Sequence, residues 1–431
     1  MTAAEQSVAI VGLRSQSATR WIQLALGLIA MMSISSPQYV WTLFVPSFQD
    51  ATHASLPAVQ VTFSILIVLQ TWLAPVQGWL IDRFGPKFLI GSGAVLSGLG
   101  YVLAAQASDL WSLYISYGAF CGFGTGLVYI GIIGLMVRWF PDRRGFAVGL
   151  AAAGYGFGAI ATTFPITGML AASGHRPTLI LFGVIFACIG AGAAVGLRSP
   201  RREDVGGLAA GARVAVSAKD YAPAEMLKTP VFWLMFLMMT MMSTGGLMVV
   251  SQFGPVMKDF GLAGSTIAGM AAVPFALSLQ RIANGVTRPF FGWVSDRAGR
   301  ENTMAIAFGM EALAVWLMLL ARSHPAVFAV MSGIVFFGWG EIFSLFPSTL
   351  TDSFGTRFAT TNFGFLYIAQ GIGSVLGGPV AAWLFEQSGS WFPVFWLIIF
   401  LDASTAVLAL IALKPLRSAW LRGTAVTSSA R

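Results

Sequence analysis

An all-α membrane protein of twelve transmembrane helices, arranged as two six-helix halves, is the fold class that the sequence predicts, and three observations carry it. Of 431 residues, 56% are hydrophobic and only 10% are charged, and the mean hydropathy is +0.77, well outside the range of a soluble globular domain. Twelve apolar stretches follow one another, each long enough to supply the roughly 20 residues that cross a hydrocarbon core, with short polar turns between them. Third, one charged turn occurs twice, 214 residues apart: GWLIDRFGPK, with Asp82 and Arg83, and GWVSDRAGR, with Asp296 and Arg297. A duplicated six-helix unit produces that repeat, and transporters built this way bind substrate at the repeat interface near the bilayer midplane.

In chain order, residues 1–20 form a cytoplasmic N-terminal tail, and the first half, 21–196, contains spans at about 21–45, 56–80, 88–106, 109–137, 145–170 and 177–196. The first span follows a polar leader with Arg14 and Arg20 and exceeds the core of a signal peptide, so it is expected to be retained. Cys121 and Cys188, the only cysteines, lie inside spans without metal-ligand spacing and read as packing residues. Residues 197–229, polar and rich in Gly, Ala, Arg and Asp, form a cytoplasmic linker. The second half, 230–412, has spans at about 230–252, 265–292, 302–321, 325–350, 359–384 and 391–412, before a cytoplasmic C-terminal tail, 413–431.

The net charge of +8 raises the question of nucleic acid, and its distribution answers it. With both termini inside, 20 of the 25 lysines and arginines fall on the cytoplasmic side, three (Arg176, Lys258 and Arg322) fall outside, and two lie within the membrane. That is the positive-inside bias of a multi-pass protein of a bacterial inner membrane, not a nucleic-acid patch.

The two intramembrane cations are Arg281 and Arg288 in span eight, with Asn284 between them. Seven residues turn an α-helix through about 700°, nearly two full turns, so both side chains start on one face about 10 Å apart. Each charge at mid-membrane costs about 2.5–3.5 kcal/mol, which partners, water or a ligand must offset. A polar cavity is favoured, with pairing to an acid on a neighbouring helix as the plainer alternative. For Glu341 in span ten three readings stand open: a partner for Arg281, a proton carrier, or a residue of the cytoplasmic vestibule. Glu311 in span nine reads as a packing or interfacial residue, and His53, His175 and His324 all fall in external loops. Glycines cluster in spans four, five and eleven, where small residues let helices approach closely.

The doubled G-x-x-x-D-R-x-G turn resembles the signature of the major facilitator superfamily, in which Asp82 or Asp296 caps the next helix or pairs with an arginine of a neighbour. A closer likeness rests on SISSPQYVWTLF in span one, RWFPDRRGFAVGLAAAGYGFG between spans four and five, NGVTRPFFGWVSDRAGR in span eight, and FPSTLTDSFGT with NFGF around spans ten and eleven. These segments resemble the oxalate/formate antiporter family, over nearly the whole chain. The resemblance implies the major facilitator fold and secondary transport of small carboxylates by alternating access, by antiport or symport. It implies further that Arg288 binds a substrate carboxylate inside an aromatic box of Tyr39, Trp41, Tyr129, Tyr155, Trp339 and Tyr367. Where the family has a lysine in span eleven this chain has Gln370, and Arg281 and Glu341 are departures of its own. With Arg288, Arg281 and Glu341 ionised the site carries a net +1, which suits a single carboxylate.

No G-x-S-x-G, metal-ligand cluster or nucleotide loop is present, so an enzyme and direct ATP coupling are disfavoured. A transporter-derived anion sensor and a proton-coupled monocarboxylate symporter are the other readings. The expected partners are a small mono- or dicarboxylate anion and the lipid bilayer; no cofactor or metal is expected, and the chain is expected to act as a monomer.

Overall fold

The computed structural model describes residues 3–206, 208 and 214–429, with side chains from 18 to 423 inside those limits. The side chains of Arg14, Arg213 and Arg431, which entered the charge count, lie outside the described residues. The chain divides into two compact units, Met1–Arg213 and Val214–Arg431.

In the first unit, α1 (Ala3–Ser33) runs through the region expected to be a tail and into the first span. That span does not continue unbroken to residue 45. After Ser33 come a single turn, α2 (Ser36–Tyr39), and then α3 (Trp41–Thr52). Pro37 lies in the first turn of α2, where the ring cannot accept the amide geometry of a helix interior but suits a new start. The second span is likewise two helices, α4 (Leu56–Trp72) and α5 (Ala74–Phe84), bent by 49°, with Pro75 in the first turn of α5. Then follow α6 (Pro86–Ala104) and the short α7 (Leu110–Leu113). The chain is π-helical over 114–121 and continues as α8 (Gly122–Trp139), α9 (Arg144–Ser173), α10 (His175–Gly196) and α11 (Arg202–Val205).

In the second unit a short turn, α12 (Pro223–Met226), precedes α13 (Pro230–Asp259). Residues expected at the start of span eight form instead a small antiparallel hairpin, β1 (Thr266–Ile267) with β2 (Met270–Ala271), Thr266 opposite Ala271. Span eight is α14 (Ala272–Ala298). It is followed by α15 (Arg300–Leu320), α16 (Pro325–Trp339), α17 (Ile342–Phe354), α18 (Ala359–Ser388), α19 (Phe392–Leu408), a π-helical turn over 409–413, and α20 (Lys414–Ser429). The tenth span is thus broken at Gly340 and Glu341.

Among the described residues ten helices are long and apolar enough to cross a membrane, and the bent α4–α5 pair makes eleven. The twelfth span is α14, whose 27 residues would reach across, but Arg281, Arg288, Asp296 and Arg297 hold its hydropathy down. The repeated charged turn has the same backbone in both units. Gly85 between α5 and α6 has φ +89° and Gly299 between α14 and α15 has φ +91°, a region that only glycine enters without strain. The invariant spacing of the motif therefore has a stereochemical reason.

Part of the expected linker is fixed. Residues 214–221 lie along the end of the second unit: Ser217 N–H donates to Asp352 O and Tyr221 N–H to Phe354 O, each at 2.8 Å. Asp220 accepts from the amides of Thr356 and Arg357.

Candidate functional site

Three of the four aromatic residues expected of the first unit come together. Tyr39, after the Pro37 turn, lies 5.4 Å from the Tyr155 ring of α9, and Tyr129 of α8 meets the same ring edge-on at 5.6 Å. The hydroxyl of Tyr155 donates to Gln38 Oε1 at 2.6 Å, which fixes the ring at the centre of the trio. Trp41 departs from the expectation. It faces the opposite way, into an apolar core with Phe48 and Tyr117, and its indole N–H donates to Gln60 at 3.0 Å. Two residues of helix turn about 200°, and the Val40 junction between α2 and α3 keeps the two rings on opposite sides. Trp41 is a packing residue here.

Arg288 organises the second unit. It is 2% exposed, in the middle of α14, with Nη2 donating to Asn284 Oδ1 at 2.9 Å and the guanidinium 4.5 Å from the centre of the Phe343 ring. Among the described residues four other arginines are buried, Arg20, Arg144, Arg300 and Arg417. Arg20 pairs with Asp142 at 2.9 Å, Arg300 with Asp296 and Asp352 at 2.7 and 2.8 Å, and Arg417 with Glu301 at 2.8 Å; Arg144 donates to Val137 O. Arg288 has an amide and an aromatic face beside it, neighbours that orient the guanidinium.

Gln370 in α18 is buried, and its Oε1 has no hydrogen-bond partner among the described residues. Tyr367, one turn earlier, packs on Phe363 at 5.5 Å. Trp339 at the end of α16 is buried with its edge against Phe343 at 5.7 Å, so it shares that phenyl ring with Arg288. Its indole N–H is committed to Met242 O of α13 at 3.1 Å, leaving the ring face as what it offers.

The expected pairing of Arg281 with Glu341 is not formed. Arg281 is exposed, and Glu341 is 0% exposed with neither carboxylate oxygen hydrogen bonded. The reason lies in the chain: at the break after Trp339, Glu341 turns into the packed interior of its own unit, whereas Arg281 sits seven residues before Arg288, toward the hairpin end of α14. Glu311 is fully buried, which agrees with a packing place and not with an interfacial one. It is 0% exposed, as is Asp402 of α19, which the sequence reading passed over. The signal was available, since an ionisable residue inside a span is costly and marks function by default.

The charged turns close each unit by itself. Asp82 accepts from Arg138 at the end of α8, and Arg83 stacks on Trp79 at 5.2 Å. In the second unit Asp296 pairs with Arg300, the first residue of the next helix, and Arg297 lies over Trp293 at 3.9 Å. Of the glycines, Gly154 of span five abuts the Leu28 carbonyl of span one, and Gly373 and Gly377 of span eleven abut Ser243 and Leu247 of span seven. Cys121 is buried, as expected of a packing residue, and Cys188 is exposed; both are free.

Comparison with known proteins identifies the family. The family model of the Major Facilitator Superfamily matches residues 24–280 and 273–425. The oxalate:formate antiporter of Oxalobacter formigenes is 34% identical over 364 residues, 84% of each chain. Monocarboxylate transporter 13 of Bos taurus is 26% identical, covering 81% of this chain and 78% of its own. Among solved structures, the proton:xylose symporter XylE superposes with a TM-score of 0.73 at 13% identity, over 94% of this chain and all of that one. The fucose transporter FucP does so with 0.68 at 16% identity, over 91% and 98%. These structures share the fold, and the chain is a multi-pass membrane transporter, not an enzyme. It belongs to the major facilitator superfamily and, within it, resembles the oxalate/formate antiporter.

Proposed function

We propose that the protein is a secondary active transporter of small carboxylate anions, working by alternating access, in which Arg288 clamps the substrate carboxylate. The observation that carries this reading is the placement of Arg288, a guanidinium buried at mid-helix with an amide bonded to it and a phenyl ring against it. A planar donor fork held by Asn284 is prepared for the two oxygens of a carboxylate. The 34% identity to an oxalate:formate antiporter and the similarity to monocarboxylate transporters supply the substrate class. Gln370, a neutral amide in place of the family's lysine, contributes hydrogen bonding without charge, which favours one carboxylate over two.

Tyr39, Tyr129 and Tyr155, which meet within the first unit, are proposed as substrate-binding residues, offering phenol edges and hydroxyls. Arg281, exposed two turns before Arg288 on α14, serves to attract anions by its field. The charged turns at Asp82 and Asp296 hold each half together while the halves change conformation. We propose that both termini and the linker face the cytoplasm of a bacterial inner membrane, on the strength of the positive-inside count.

The test is uptake into liposomes containing the purified full-length chain, with labelled formate, oxalate, acetate, lactate, pyruvate or malonate, and with or without counter-anion inside. Counter-anion-stimulated uptake of at least one member, lost in Arg288→Gln, is expected. No uptake of any carboxylate, or full uptake by Arg288→Gln, would overturn the reading.

A further inference from the structure

Three carboxylates lie inside the second unit on three different helices. Glu311 is in the middle of α15, Glu341 is at the break between α16 and α17, and Asp402 is in α19. All are 0% exposed, and among the described residues none of their six oxygens accepts a hydrogen bond and none of the three forms an ion pair. Glu311 stands within electrostatic reach of both of the others. Glycines make the space for them. A Cβ on Gly338 of α16 would fall 2.6 Å from Glu311 Cβ, and one on Gly245 of α13 would fall 3.0 Å from Asp402 Oδ1.

No cation from the surrounding helices answers this cluster. α16 carries no charged residue, and α13 carries only Lys258 and Asp259, its last two. In α18 the titratable groups are the Tyr367 phenol, packed on Phe363, and Glu386, exposed near the helix end, and neither is a cation. α15 has Arg300 and Glu301 in its first turn, bound to Asp296, Asp352 and Arg417, and Asp352 is the acid of α17. α14 has Arg281, exposed, and Arg288, bonded to Asn284. An ionised carboxylate without water, partner or counter-ion is among the costliest arrangements in a protein, and neighbours of like sign make it worse. Among the described residues these acids do not converge with others as the ligands of a metal ion, and the neutralising species that needs no convergent ligands is the hydrogen ion.

We infer that Glu311, Glu341 and Asp402 form a proton-binding cluster that couples proton movement to anion transport. This rests on the transport reading above. Each loading step adds one hydrogen ion from water to a carboxylate oxygen, giving a neutral carboxylic acid, and unloading returns it to water on the other side. One proton carried with one monovalent carboxylate makes the step electroneutral. The link to the anion is the break in span ten. A Cβ on Gly340 would meet Thr287 Cγ2 at 2.5 Å and Asn284 Nδ2 at 3.1 Å, and Asn284 is the residue that holds Arg288. Glu341 is the next residue. A shift of the Arg288–Asn284 pair on anion binding therefore presses on the peptide that carries Glu341, and a change in the protonation of Glu341 presses back.

Two measurements test this with the full-length protein. Infrared spectra in heavy water read the C=O stretch of protonated carboxyl groups directly, and Glu311→Gln, Glu341→Gln and Asp402→Asn are each expected to remove part of that band. In liposomes, labelled-formate self-exchange at equal pH is expected to survive in Glu311→Gln and Asp402→Asn, while formate uptake driven by an inward proton gradient is lost. The amides mimic the neutral acids, so folding should hold. Should a variant fail to express, carbodiimide labelling of the wild-type chain, mapped by mass spectrometry, reads protonated buried carboxyls without substitution. A band unchanged in all three variants, absence of labelling at all three acids, or wild-type formate uptake indifferent to the proton gradient would overturn the inference. Loss of the band in the variants without any carboxylate exchange by the wild type would instead overturn the transport reading and leave the protonated cluster standing.

Discussion

Asn284 and Arg288 are joined one helical turn apart on α14, with Arg288 Nη2 donating to Asn284 Oδ1 at 2.9 Å, while Phe343 covers the guanidinium from the side. The bond uses one nitrogen of the fork and fixes the plane of the rest. Arg288→Lys keeps the charge but loses the bidentate geometry, and a charge-assisted hydrogen bond contributes roughly 1.5–3 kcal/mol. We expect a rise of about 10- to 100-fold in KM, by the 1.4 kcal/mol-per-decade rule. Asn284→Ala, which leaves the guanidinium intact but loose, should show a smaller rise of the same kind. Competition uptake against labelled formate measures both; an Asn284→Ala protein with unchanged KM would mean that the bond does not orient the clamp.

Gln370→Lys places a second cation in α18, where the amide oxygen now has no partner. A dicarboxylate gains a counter-charge and a monocarboxylate gains a surplus one. The ratio of oxalate to formate affinity should therefore rise in the variant. Equal ratios in the two proteins would show that position 370 does not face the anion.

The two-half architecture was legible because its signals are chemical and local: apolar runs of fixed length, and a charged turn whose glycine recurs at positive φ in Gly85 and Gly299. Breaks inside spans were less so. Pro37 and Pro75 mark two of them, but the break at Gly340 and Glu341 has no proline within it and depends on how α16 packs on α14. For the same reason depth and family likeness pointed to Arg288, whereas the side to which each aromatic turns could not be read. Trp41 and Tyr39 are two residues apart and part company at a junction that only the three-dimensional path defines. The Arg281–Glu341 pairing is absent because charge complementarity in a sequence carries no direction: Glu341 is fully buried whereas Arg281 is exposed.

The start of the linker is tied by Arg198, whose guanidinium binds both oxygens of Asp204 at 2.6 and 2.8 Å while Asp204 also accepts from the Arg201 amide at 2.7 Å. Arg198 holds the Asp204 carboxyl below the usual carboxylate range. With the folded value below the unfolded one, this tether is complete above the ordinary aspartate pKa and weakens as pH falls through the depressed value. Asp204→Asn should act like acid at neutral pH. Faster tryptic cleavage after Arg201 and Arg202 in the variant is the expected reading, and an unchanged rate would show that the bridge does not order the segment.

Asp82 accepts from Arg138 and thereby joins the turn after α5 to the end of α8. Removing the acid should free Arg138 and loosen one conformation of the half relative to the other, so that transport rate changes more than substrate KM. Asp82→Asn is expected to lower the maximal rate, and a charge-exchanged Asp82→Arg, Arg138→Asp protein to recover part of it. Losses that simply add in the exchanged protein would separate the two residues.

Helix seams provide the last test, because this chain contains its own controls. A Cβ on Gly373 of α18 would lie 2.5 Å from Ser243 Cβ and 2.8 Å from its carbonyl carbon on α13, whereas one on Gly378, five residues on, would meet nothing nearer than 3.8 Å. In the first unit a Cβ on Gly154 of α9 would fall 2.8 Å from the Leu28 carbonyl of α1, and one on Gly156 would meet nothing within 4 Å. Backbone cannot yield as a flexible side-chain end can, and overpacking a close seam costs about 1–3 kcal/mol. Gly373→Ala and Gly154→Ala should therefore lower the melting temperature in detergent, whereas Gly378→Ala and Gly156→Ala should leave it unchanged or raise it through better helix propensity. Four equal shifts would mean that the seams are not close-packed in the membrane protein, and a loss of transport by Gly373→Ala at unchanged melting temperature would assign that seam to the conformational change instead of to stability.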